Sequence, residues 1–194
     1  MAATVAPTVT QRAETKLMTA EEAAQLSTVN RRFEVVKGVY IEMSPASALH
    51  GKVTSTLHFL IVSHVRKNRL GEVTAAETGF VLTRAPDTVR AADVGFISAS
   101  RLSSTGIPET GFWPIAPDLA IEVVSPGDSS DDVQAKVEDY LSAGTRMVWV
   151  VYPKTRSVTV FRSLRDVKVL RADESLSGED VLPGFECRVG EVFE

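Results

Sequence analysis

The chain runs to 194 residues with a formal net charge of −4, 44% hydrophobic and 24% charged residues, the balance of a globular domain and not of a disordered or fibrous chain. One cysteine, Cys187, excludes an internal disulfide and a cysteine-built zinc site. No apolar run nears the ~20 residues that span a bilayer and no secretory-type leader is visible, so the expected compartment is the cytoplasm.

Residues 1–16 are small, polar and aperiodic, the pattern of a disordered or loosely packed tail, which leaves 17–194 as one domain. Thr19 with Glu22 three residues on is a capping box for a short helix through Leu26. Phe33 to Val36 and Val39 to Met43, joined by Lys37-Gly38, read as a β-hairpin. From Leu49 to Asn68 the apolar period becomes helical: Val53, Leu57, Leu60, Ile61 and His64 form one stripe, which His50 opens at the helix start.

Strands are expected at Glu72 to Leu82 and Ala91 to Ser98, the second carrying Asp93 among small and apolar neighbours. Residues 99–117 read as a long loop, of a length that usually has a functional reason. Leu119, Ile121 and Val123 then alternate as a strand that Ser125-Pro126-Gly127 stops. A helix from about Asp131 to Ala143 follows, with Val133, Val137, Tyr140 and Leu141 as its buried stripe and Asp128, Ser129 or Ser130 available as its cap. Met147 to Tyr152 is a continuous apolar strand of the kind covered on both faces. Ser157 to Phe161 and Val167 to Leu170 form a second hairpin before a turn-rich end. This order predicts an α/β (α+β) domain on a mixed sheet, with extra hairpins at both ends.

The chemistry centres on Glu122, an ionisable group inside an apolar strand, which needs a partner or a metal. If its strand pairs with that of Asp93, both carboxylates can share one sheet face. Two hard oxygen donors suit Mg²⁺ or Mn²⁺. Lys136, at the edge of the stripe on the next helix, can lay its stem along apolar surface and bring its ammonium over the carboxylates. Acid, acid and lysine around a metal make a phosphodiesterase apparatus. His50 could bind metal, move a proton or pack, and Glu34 or Glu42 could complete a metal shell or be plain hairpin carboxylates.

The blocks FEVVKGVYIEMSPAS, ADVGFIS, PDLAIEVVSPGDSSDDVQAKVEDYLSAG, VWVVYP and LPGFE resemble the Uma-two family, a bacterial group classed with restriction endonucleases in the PD-(D/E)XK nuclease superfamily. The resemblance runs from about residue 19 to the C-terminus. Ala92-Asp93 stands where that pattern has Pro-Asp, and Glu122-Val123-Val124 where it has Glu-x-Lys. Lys136 is placed like the migrated lysine of some members. The resemblance implies a restriction-endonuclease-like fold, Mg²⁺ held by Asp93, Glu122 and the backbone carbonyl of Val123, and hydrolysis of DNA.

A rival expectation is a catalytically inactive module that keeps this fold to bind nucleic acid or protein. The acidic balance, the missing proline and the displaced lysine favour it, as does reading the basic runs Arg31-Arg32, Arg66-Lys67-Asn68-Arg69 and Arg162 to Arg171 as solvated faces. A metal-dependent hydrolase acting on another phosphodiester or a small substrate, its ligand chosen by the 99–117 loop, is a third. Cutting both strands of a duplex would call for a homodimer.

Overall fold

The computed structural model describes residues 16–26 and 32–194; residues 1–15 of the expected tail and Arg31 of the first basic run fall outside that range. The capping box forms as expected. Thr19 N–H donates to Glu22 and Glu22 N–H to the Thr19 hydroxyl, opening helix α1 (Ala20–Leu26). Strands β1 (Phe33–Val36) and β2 (Val39–Glu42) form the first hairpin. Its turn residues Lys37 and Gly38 both have positive φ, 51° and 77°, the geometry that matches strand twist in two-residue hairpins.

Helix α2 (Ala48–Asn68) starts at Ser47, whose hydroxyl accepts from the His50 N–H, and stops where Arg69 turns left-handed. Strands β3 (Gly71–Thr83) and β4 (Thr88–Ser98) are a long antiparallel pair with a bulge between Ala75 and Thr78, opposite Asp93. Helix α3 (Ala99–Thr105) follows. It corrects the expectation of an unbroken loop over 99–117. No residue of α3 is buried, so it leaves no apolar stripe from which the sequence could be read as helical.

Strand β5 (Leu119–Val123), helix α4 (Ser130–Ser142) and strand β6 (Met147–Tyr152) form a βαβ unit, with β5 and β6 parallel. Ser129 caps α4 by accepting from the Asp132 N–H. Strands β7 (Ser157–Phe161) and β8 (Val167–Leu170) complete the second hairpin. The end of the chain is more ordered than a turn-rich segment: β9 (Ser175–Ser177) pairs with β10 (Glu186–Arg188), and a 3-10 turn spans Val189–Phe193.

The main sheet has eight strands in the order β2-β1-β4-β5-β6-β7-β8, with β3 on β4. Both hairpins are thus built into the sheet and not appended to it. One face buries Leu119, Ile121, Val123, Trp149 and Val151 against Val53, Leu57 and Ile61 of α2 and against Leu182 and Phe185. The other buries Ala120, Val148 and Val150 against Val137 and Tyr140 of α4. Every residue of β5 is buried, which makes Glu122 a carboxylate in the middle of the molecule. No helix among the described residues is long and apolar enough to cross a membrane.

Candidate active site

The sheet has a gap, and the ionisable residues fill it. On one side β4 pairs with β3 along its whole length, interrupted only by register shifts between Ala75 and Thr78 and between Val81 and Thr83. On the other side it meets β1 at Val89 and β5 from Val94 to Phe96. Arg90 to Asp93 lie between those contacts, where no backbone ladder reaches them from that side. Side chains replace the ladder there. The Ala91 N–H donates to Glu34 at 3.1 Å, and Asp93 accepts the Val123 N–H at 2.8 Å. Bulges such as the one opposite Asp93 bend a strand and re-aim its side chains, and β4 shows it: Ala92 packs on the α4 side while Val94 packs on the α2 side.

The four side chains singled out from sequence meet in this gap. His50, from the first turn of α2, places Nε2 3.0 Å from Asp93 Oδ2. Lys136, from α4, places Nζ 2.8 Å from Glu122 Oε2 and 3.6 Å from Glu34 Oε1. Asp93 and Glu122 are each 6% exposed, so the centre is a recess and not a surface patch. Val123 contributes its N–H to Asp93.

Three other residues of the cluster, Tyr140, Arg90 and Asp139, were not legible as site residues. The Tyr140 hydroxyl donates to Glu122 Oε1 at 2.9 Å; its position in the stripe of α4 reads as core. Arg90 pairs with Glu34 at 2.7 Å and with Asp139 at 2.7 Å. One signal was available: Lys136 and Tyr140 are four residues apart on a helix, hence on one face. Glu34 is buried in the cluster at 2% exposure, whereas Glu42 is exposed at the end of β2. Trp113 packs in the core behind β3, and His64 donates its Nε2–H to the Pro183 carbonyl.

Charge does not balance here. Glu34, Asp93, Glu122 and Asp139 face the fixed cations Arg90 and Lys136, with His50 as a titratable third. Burial pushes the Glu122 carboxyl up to about 7; Lys136 pulls it back, but Asp93 and Glu34 add to the rise. Burial alone would lower Lys136, yet Glu122 and Glu34 hold its ammonium above its ordinary value. Both partners of one ion pair therefore shift upward. A lone pair would draw its acid down; the crowd of carboxylates explains why this one does not. The bond to Asp93 raises His50 above 6.5, against burial and Arg32. Burial raises Tyr140 too, and the Glu122 charge adds to it, so it stays a donor.

A family model described as "Uma2: Putative restriction endonuclease" matches residues 20–190. Among solved structures, that of "a putative nuclease belonging to DUF820 from Anabaena variabilis ATCC 29413" aligns with a TM-score of 0.77 at 23% identity, over 91% of this chain and 97% of that one. That likeness is one of fold. No curated protein matches the chain.

Proposed function

The chain belongs to the Uma2 family, and from that premise we propose that it is a divalent-metal-dependent endonuclease that hydrolyses phosphodiester bonds of DNA. One observation carries the reading. Two nearly buried carboxylates, Asp93 and Glu122, stand on neighbouring strands where the ladder opens, with a lysine ammonium 2.8 Å from the second.

The donor set fits Mg²⁺, with Mn²⁺ as substitute. Its oxygens are hard donors, and its surplus of negative charge is what a divalent cation would neutralise. Among the described residues no three His, Cys, Asp or Glu side chains stand grouped as a ready metal shell. Asp93 and Glu122, with the Val123 carbonyl, would hold the ion, and His50 would have to release Asp93. A cation there supplies Lewis-acid polarisation of the phosphate and an acidified water.

The protein's own groups do the rest. Lys136 turns its ammonium from Glu122 toward the phosphate oxygens as negative charge builds on them. Tyr140, donating to Oε1, fixes the Glu122 carboxylate, and the Arg90–Glu34 pair fixes the Lys136 side of the recess. His50 Nε2, freed from Asp93, can hold a proton for the departing oxygen. A homodimer would present two such centres to the two strands of a duplex.

The test is supercoiled plasmid nicking in Mg²⁺ and then Mn²⁺ by the wild type, Asp93→Asn and Glu122→Gln, with circular dichroism as the check on folding. Nicking by the wild type alone is the expected result. A second reading, a nuclease-fold module that binds nucleic acid or protein without cutting, is favoured by how completely Asp93 and Glu122 are already paired within the chain. Absence of nicking by all three proteins would move the assignment to it.

A further inference from the structure

Beside the carboxylate recess lies a pocket of about 480 Å³, and His50 is the wall they share. It opens at the carboxyl ends of the parallel strands β5 and β6, where open α/β sheets receive ligands. It is lined by Val124 and Pro126 after β5, Tyr152 at the end of β6, Leu49 on the first turn of α2, Lys154, and Asp128, whose carboxylate accepts the Ser125 N–H. The volume falls in the roughly 300–1,000 Å³ range of small-ligand sites.

Three features narrow the ligand. Tyr152 is half-buried, and its hydroxyl has no hydrogen-bond partner among the described residues; burial is the only influence on it. Lys154 is exposed and has no carboxylate partner among the described residues. Leu49 is 51% exposed, an apolar side chain held in water at the rim. A flat ring surface, apolar walls, an unused phenol and a free ammonium suit a planar heterocycle joined to an anion.

Resting on the nuclease reading of the adjacent recess, we infer that this pocket takes one unstacked nucleobase of a single-stranded segment, seated on Tyr152, with the neighbouring phosphate at Lys154. A base in a continuous duplex is stacked on both faces and cannot enter a recess, whereas a base in a loop, end or frayed segment can. The substrate class is therefore nucleic acid with unpaired bases near the cleaved bond. DNA and RNA share the chemistry that the pocket reads.

The experiment separates binding from cutting. Fluorescence anisotropy with fluorescein-labelled single-stranded DNA and RNA of one sequence is measured on Glu122→Gln protein in Ca²⁺, with a duplex as control. Replacing Tyr152 by Ala in that protein should raise Kd about tenfold or more, the scale of losing one base–aromatic stack, and Tyr152→Phe should restore most of the affinity. An abasic nucleotide moved along the oligonucleotide should weaken binding at one position, and Tyr152→Ala should erase that effect. The relative affinities of DNA and RNA name the source of the base.

Equal affinity of Tyr152→Ala and its parent, a flat abasic scan, or a preference for duplex would overturn the inference; the scan needs no substitution at Tyr152 and survives any misfolding of the alanine variant. Failure of the two readings is distinguishable. Tyr152-dependent binding with neither plasmid nicking nor cleavage of the single-stranded oligonucleotides by wild type in Mg²⁺ or Mn²⁺ keeps the pocket and removes hydrolysis. Nicking by wild type together with Tyr152-independent binding does the reverse.

Discussion

Replacing Glu122 by Gln should make the metal-free protein relatively more stable as pH rises, although it deletes half of a buried ion pair. The usual expectation is a loss of about 3–5 kcal/mol when one buried partner is removed. Here the surroundings reverse the sign. Burial and the nearby Asp93 and Glu34 hold the Glu122 proton to about 7 instead of the ordinary 4.5. A raised acid contributes stability that is present in full below its unfolded value and lost as pH climbs through its folded value. At ~1.4 kcal/mol for each tenfold in proton affinity, the loss comes to about 3 kcal/mol between pH ~4.5 and pH ~7. Gln has no proton to lose, so it escapes that loss.

Its amide nitrogen will oppose Lys136 or Tyr140, a cost on the order of 1 kcal/mol that does not vary with pH. The pH trend is thus the sound readout, and His50 titrates in both proteins and cancels in the difference. Urea unfolding in EDTA, followed by fluorescence of the buried Trp149 and Trp113, would be run at steps from pH 5 to pH 8. The difference in unfolding free energy should move toward the variant across that window. A constant difference, or one that moves toward the wild type, would show that Lys136 outweighs burial and refute the reasoning. Saturating Mg²⁺ should stabilise the wild type and leave the variant nearly unmoved.

Lys136→Met should keep the fold and cut plasmid nicking by about 100-fold or more, the scale of removing one group aimed at developing charge; initial rates would measure it. Arg90→Ala should cost about 3–5 kcal/mol in urea unfolding, since it strands Glu34 and Asp139. Arg90→Lys should recover little, because one ammonium cannot replace a fork that meets both carboxylates. In metal-free protein the His50 ring should titrate above 6.5 by NMR, and Mg²⁺ should lower that value as it takes Asp93 from the imidazole.

What the sequence disclosed about the site was what does not depend on distant pairing. Glu122 stood out because an acid in an apolar strand needs a reason, and Lys136 because it rode the edge of a helical stripe. Glu34 was legible only as one of two hairpin carboxylates that could complete a metal shell, and Arg90 gave no sign. Glu34 looks like a polar position of an ordinary hairpin until β1 is laid against β4 at Val35 and Val89, a contact between segments more than fifty residues apart. Arg90 precedes the span expected for its strand, and only the observed start at Thr88 brings it inside. Tyr140 was read correctly as buried and incompletely as apolar, since periodicity cannot tell which core position turns a hydroxyl toward an acid. For the fold, the mixed α/β order, the long helix and both hairpins followed from periodicity and turn residues. Helix α3 did not, because its Ser-rich, exposed turns carry no hydrophobic signal.

The Val123 amide, tethered by the Asp93 carboxylate where its strand leaves the ladder, makes the backbone a reporter on the recess. Amide protons exchange with deuterated solvent at a rate set by how often their bond opens. Ile121, two residues earlier, lies opposite Val94 within the β4–β5 ladder, so its protection follows the opening of the sheet. Protection at Val123 follows the carboxylate. A cation, a proton or a substitution that draws Asp93 away would speed exchange at Val123 and leave Ile121 slow. The ratio of those two rates would thus read the state of the acidic centre with no substrate, label or turnover.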